Sequence, residues 1–159
     1  MSQQGTGVSD DVMSPAGFSS FYRDHLATVY GYLYRLAGGD RSLAEDLTQD
    51  TFVALTRELR KGRPECADVR WLLTVARSRF VDHVRRQTRF DRKLRLVGGG
   101  LDDGAASVEP DRTEVLHSLD SVDAIHRVVL MMRYVDGLAV HEIAQTIGRS
   151  VTATHSLLA

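Results

Sequence analysis

The stretch WLLTVARSRFVDHVRRQTR, residues 71–89, decides how the rest of this chain is read. At about 100° per residue, Leu72, Leu73, Ala76, Phe80 and Val84, with Val69 just ahead, form one apolar stripe centred near Phe80. The spacing predicts a helix that begins near Asp68 and runs to about Arg89 or beyond. Almost opposite the stripe lie Trp71, Ser78, Arg85 and Arg89, within roughly 40° of one another by the same arithmetic. Between 77 and 95 stand eight basic residues (Arg77, Arg79, Arg85, Arg86, Arg89, Arg92, Lys93, Arg95) against Asp82 and Asp91. The single tryptophan therefore heads a basic ridge on the polar face. Such a ridge can be a solvated charged face, with Trp71 covered by a neighbouring helix. It can also be a nucleic-acid surface, where arginines hold phosphates and an aromatic ring stacks on an unpaired base. That second use suits single-stranded or opening DNA better than an intact groove.

Working outward, the chain keeps the helical period. Phe18, Phe21, Tyr22, Leu26, Val29, Tyr30, Leu33 and Leu36 predict a helix over 18–37, which a Gly-Gly-Asp break ends. Ser42 followed by Glu45 has the form of a capping box, opening a second helix over roughly 42–59 whose Leu43, Leu47, Thr51, Ala54 and Leu55 turn toward a core. A proline-containing loop, KGRPECAD, separates it from the third. Beyond the third helix, VGGGLDDGAASVEPD is glycine-rich and acidic, with four acids and no base over 98–111. The segments RTEVLHSL, VDAIHRVVLMMRYV, AVHEIAQTI and SVTATHSLLA then read as four short helices. No strand-like alternation occurs. The expected fold is all-α, two small helical modules joined by a flexible acidic linker.

Composition narrows the function. With 43% hydrophobic and 26% charged residues the chain is of the soluble globular kind, and no apolar run approaches the ~20 residues of a membrane span. The first 16 residues carry neither the basic start nor the apolar core of a secretory signal and are expected to be a disordered tail. Cys66 stands alone, which excludes an internal disulfide and suits a cytoplasmic location. Charge is divided unevenly. Residues 1–97 hold 16 Lys and Arg against 12 Asp and Glu, a net of +4, whereas residues 98–159 hold 4 against 9, a net of -5. Basic surface for a nucleic acid is thus in the first half. Catalytic chemistry is absent from the pattern: HEIAQ at 141–145 has Gln145 where a zinc-protease motif needs a second histidine, and the six histidines form no ligand spacing with Cys66. No metal and no cofactor is expected.

On the second helix, Asp46, Gln49, Asp50 and Val53 recur at i, i+3, i+4 and i+7. Acids and a valine on one stripe fit either a solvated face or docking against a basic partner helix, and spacing alone does not choose.

Taken together, AEDLTQDTF at 44–52 followed by WLLTVARSRFVDHVRRQTR at 71–89 resembles conserved region 2 of the extracytoplasmic-function sigma factors of bacterial RNA polymerase. LMMRYVDGLAVHEIAQTIGRS at 130–150 resembles their region 4. The resemblance covers nearly all of 18–156. It implies a non-enzymatic subunit that binds core RNA polymerase, directs it to promoter DNA and helps melt the −10 element. It also implies an anti-sigma factor as a further partner and no insertion into a membrane. Region 2 would occupy 17–95, the linker 96–111 and region 4, a helix-turn-helix reading the −35 element, 112–159. In that family the linker threads through the polymerase, which would account for a negative segment between DNA-binding modules.

Residue by residue, the resemblance places Asp46, Gln49, Asp50 and Val53 at the polymerase clamp helices. Arg63, Trp71, Thr74, Arg77, Ser78, Arg85, Arg86 and Arg89 become the −10 set, with the loop around Arg63 where members capture a flipped base. In the helix-turn-helix, Gly148 would make the turn and Ser150 cap the second helix. Thr152, Ala153 and Ser156 would face the major groove beside Ser150, with Arg149 near phosphate. The chain departs from the family at Ser78, where asparagine is usual, at Thr154, where many members have valine, and in lacking a proline before region 4. The expected region 4 is also incomplete at its C-terminal end, without the arginine-rich continuation. Two other classes share parts of this pattern: a helix-turn-helix regulator of duplex DNA, which has no need of region 2, and a pure interaction module held by an inhibitor.

Overall fold

The computed structural model describes residues 12–97 and 123–159. Among them are six α-helices, one 3-10 turn and no strand: α1 (Pro15–Leu36), α2 (Arg41–Arg60), the turn Pro64–Cys66, α3 (Val69–Val97), α4 (Ala124–Tyr134), α5 (Val140–Ile147) and α6 (Val151–Leu158). The predicted helix RTEVLHSL lies outside the described residues, as does most of the expected linker. The chain clusters into two units, residues 1–80 and 81–159, so that α3 begins in the first and ends in the second.

The helix starts follow from local chemistry. α1 opens inside the segment expected as tail, because Ser14 accepts from the Gly17 N–H at 3.0 Å and Pro15 supplies a first residue that has no N–H to satisfy. α2 is capped by Asp40, not by the predicted Ser42. The Asp40 carboxylate accepts from the Leu43 N–H at 3.1 Å, which leaves Ser42 as an exposed residue of the first turn. α3 extends eight residues past Arg89 and runs two residues into the segment expected as linker.

In the first unit, α1 and α2 pack against each other. Val29, Leu33 and Leu36 of α1, and Ala44 and Leu55 of α2, are completely buried, and Tyr22 meets Phe52 edge-on with ring centroids 4.6 Å apart. Leu72, Ala76 and Phe80 bring the apolar stripe of α3 into the same unit's core. Buried Thr48 and Thr51 donate their hydroxyls to the Ala44 and Leu47 carbonyls at 2.6 and 2.7 Å, so neither polar group needs a partner from another element. In the second unit α4, α5 and α6 pack mutually around Val128, Val129, Met132, Ile143 and Ile147. Gly148, at φ +66°, closes α5 in the left-handed conformation, and Ser150 caps α6 by accepting from the Ala153 N–H at 3.1 Å. Glu142 reaches back to the Ala139 N–H at 2.7 Å, half of a capping box, since alanine has no side-chain acceptor to return. No helix of the described residues is long and apolar enough to cross a membrane.

Candidate nucleic-acid and partner interfaces

α2 divides cleanly into two faces. Leu47, Thr51, Phe52 and Leu55 are buried, whereas Asp46, Gln49, Asp50 and Val53 are all exposed and share the other side of the same helix. Val53 leaves 47% of its surface to solvent, an apolar group among three polar ones. Beside this stripe α1 contributes a wall made of residues from its apolar period. Tyr22, Leu26 and Tyr30, with Glu45, Thr48 and Gln49 of α2, line an open groove of about 440 Å³. The three α1 residues are half-buried, covered on one flank and open on the other, which a one-dimensional apolar period cannot distinguish from burial.

The −10 candidates on α3 differ in accessibility. Thr74, Ser78, Arg86 and Arg89 are exposed, while Trp71, Arg77 and Arg85 are half-buried. Trp71 is thus less open than its position opposite the apolar stripe suggests. The Thr74 hydroxyl donates to the Arg70 carbonyl at 2.9 Å, and Arg86 Nε donates to the Asp82 carbonyl at 3.3 Å, both bonds along the helix itself. Arg85 is engaged more firmly: its Nη2 donates to the Thr146 carbonyl at 3.1 Å, across 61 positions of sequence.

The loop before α3 is anchored at both ends. Glu58 accepts from Lys61 Nζ at 2.7 Å and from Arg63 Nη1 at 2.9 Å, so the Arg63 side chain is exposed but paired. The Lys61 hydrogen bond, reinforced by the charges of Lys61 and Arg63, holds the Glu58 carboxyl below its ordinary value. Cys66 points inward from the 3-10 turn, and burial, with Glu65 and Glu58 nearby, pushes its thiol up. A buried thiol with a raised pKa is less available as the reactive thiolate than an exposed cysteine.

On the helix-turn-helix, Arg149, Ser150, Thr152 and Ser156 are exposed and Ala153 is half-buried. Thr154, the departure from valine, is completely buried, and its hydroxyl donates to the Ser150 carbonyl at 2.9 Å. Threonine fills a valine-shaped site there by satisfying its polar atom within its own helix.

The fold and these surfaces define an all-α protein that carries a helix-turn-helix, an exposed acidic stripe and a basic ridge headed by tryptophan. Residues 21–90 match the Sigma-70 region 2 family. The chain is 31% identical to the ECF RNA polymerase sigma factor BldN of Streptomyces coelicolor, over 88% of this chain and 55% of that one. It is 30% identical to the ECF sigma factor SigE of Mycolicibacterium smegmatis, over 91% and 59%. With the ECF sigma factor SigL of Mycobacterium tuberculosis it shares 31% identity over 81% of this chain and 75% of the relative. The chain therefore spans less than two thirds of BldN and SigE, and three quarters of SigL. Its fold is similar to that of the sigma factor RpoE in the co-crystal structure with the anti-sigma factor NepR from Bartonella quintana, with a TM-score of 0.52 over 89% of each chain at 18% identity. This chain belongs to the extracytoplasmic-function RNA polymerase sigma factors.

Proposed function

We propose that this chain binds core RNA polymerase, directs it to specific promoters and helps open the −10 element, performing no chemical step of its own. The observation that carries the reading is the division of α2. Four residues at helical spacing, three of them able to meet a basic helix, stay exposed on a helix whose other side is fully committed to the core. Asp46, Gln49, Asp50 and Val53 are the docking residues, and the groove walled by Tyr22, Leu26 and Tyr30 continues their surface.

Promoter opening falls to α3 and the loop before it. Arg77, Arg85, Arg86 and Arg89 hold phosphates, Trp71 stacks on an unpaired base, and Thr74, Ser78 and Arg63 contact the opened strand. Unstacking a base costs a few kcal/mol, and stacking on an aromatic ring returns roughly 1–3 kcal/mol of it. The −35 element is read by Arg149, Ser150, Thr152, Ala153 and Ser156. Residues 17–95 form region 2, 96–111 the linker and 112–159 region 4. With α3 running to Val97, the linker residues 98–111 would reach at most roughly 46–50 Å if fully extended, at about 3.3–3.6 Å per residue, beyond the 34–36 Å or so of one DNA turn. The protein works in the cytoplasm, and an anti-sigma factor is proposed as its inhibitor, as RpoE has in NepR.

The test is reconstitution. Core RNA polymerase supplemented with this chain should give run-off transcripts from a subset of genomic promoter fragments, while core alone gives none. Failure to co-purify with core polymerase under low salt would refute the reading.

A further inference from the structure

Within the second unit, the hydrogen bond from Arg85 to the Thr146 carbonyl joins a residue that the proposed function assigns to the −10 strand to the helix that precedes the helix-turn-helix turn. Thr146 is in the last turn of α5, where carbonyls lack intrahelical donors and the helix dipole presents its negative end. A guanidinium placed there is doubly favoured. Its seat is also close-fitting. A Cβ built on Gly148 would lie 2.5 Å from Arg85 Nη2 and 3.3 Å from Cζ, so the guanidinium rests on the bare backbone of the helix-turn-helix turn. Asp82 Oδ1, 3.9 Å from Nη1, flanks it on the other side. Gly148 thus answers two demands at once, a positive φ and an absent side chain.

The carbonyl end of α5 offers Arg85 what a DNA phosphate would: concentrated negative charge and an oxygen acceptor. One guanidinium cannot sit on both. We infer that the turn of the helix-turn-helix sequesters Arg85, withholding it from single-stranded DNA until the turn moves away. This deepens the proposed function and rests on it for the role of Arg85, but not for the latch itself. Arg85 is released only when the helix-turn-helix is drawn elsewhere, so engagement of one module frees a residue that serves the other.

Gly148→Asn tests this. Asparagine tolerates the left-handed conformation better than other side chains, while its Cβ displaces the guanidinium. Gly137→Asn is the control: Gly137 also has a positive φ, +69°, but nothing lies within 4 Å of a Cβ there. Phenylglyoxal labelling of the full chain, read by peptide mass spectrometry, should modify Arg85 about fivefold more slowly than exposed Arg86, a discounted value for a charge-assisted bond on a partly exposed group. In Gly148→Asn the two rates should converge; in Gly137→Asn they should stay apart. Binding of the oligonucleotide dT15 by fluorescence anisotropy should tighten about fivefold in Gly148→Asn, and the gain should vanish when Arg85→Ala is added. Equal labelling of Arg85 and Arg86 in the parent chain overturns the inference. So does a gain in dT15 affinity that survives Arg85→Ala, or release of Arg85 with no gain. Core-polymerase binding through α2, measured alongside, reports on the proposed function separately.

Discussion

Replacing Asp46 and Asp50 with alanine, singly and together, and Val53 with alanine separately, should weaken polymerase binding without harming the fold. Val53→Ala removes two methyl groups worth about 0.8 kcal/mol each when fully buried. The side chain is 47% exposed in the free protein, so docking can cover only about half of that surface. The expected loss is about 0.8 kcal/mol, roughly fourfold in Kd. The carboxylates carry more. A charge pair at a solvated rim contributes about 0.2–1 kcal/mol, and truncating one partner of a desolvated pair costs about 2–5 kcal/mol. A stripe flanked by an apolar groove falls between these limits. About 2 kcal/mol, some 30-fold, is expected for the double variant. The two aspartates are one helical turn apart, so their effects need not add, and each single variant is needed.

Stability should move the other way. Both aspartates are exposed and lie beyond the first turn of α2, where the helix dipole no longer rewards them. Alanine is the better helix former by up to about 0.7 kcal/mol per site. Anisotropy titration of the labelled chain with core polymerase, beside thermal unfolding followed by circular dichroism, reads both quantities. Weaker binding with an unchanged or raised Tm is the predicted pair. Binding within twofold of the parent in the double variant would refute the docking assignment, whatever the Tm does.

Four further outcomes are expected. Trp71→Ala should impair promoter opening about five- to 150-fold, from roughly 1–3 kcal/mol of stacking, and permanganate footprints as intense as the parent's would exclude that role. Gly31→Ala should stabilise α1 by about 0.5–1 kcal/mol, raising Tm by about 2–8 °C, because the nearest atom to the new Cβ is Arg35 Nη1 at an ordinary 3.8 Å; a lower Tm would contradict it. Cys66 should react with iodoacetamide at pH 8 at least about tenfold more slowly in the native than in the urea-unfolded chain, its thiol being buried and its pKa raised. Thr154→Val should cost nothing measurable in denaturant melts, since the Ser150 carbonyl keeps its bond from the Thr154 N–H at 3.0 Å, whereas Thr154→Ala, which opens a small cavity, should be the less stable variant.

What periodicity could show and what it could not are separated by particular residues. The faces of α2 and α3 were legible because a single helix enforces them: Leu47, Thr51 and Leu55 fall inward together, and so do Leu72, Ala76 and Phe80. Caps were harder. Asp40 and Ser42 are both good capping residues within three positions, and only the backbone decides which of them accepts the orphan N–H. Tyr32, 3% exposed, and Val81, 1% exposed, were missed because each lies off the main stripe of its helix, on a flank that is covered only once the chain is folded.

Arg85 shows where such reading stops. Its place on α3 marks it as one of several equivalent arginines on a basic ridge, and the family pattern gives it a task on DNA. Neither fact distinguishes it from Arg86 or Arg89, which the structure leaves exposed. The distinction arises 61 positions away, at a carbonyl belonging to no side chain and a glycine whose motif already explains it as a turn residue. A backbone acceptor leaves no mark in the sequence, and a glycine required twice looks the same as a glycine required once. The second requirement becomes visible only when a Cβ is placed on Gly148 and meets a guanidinium.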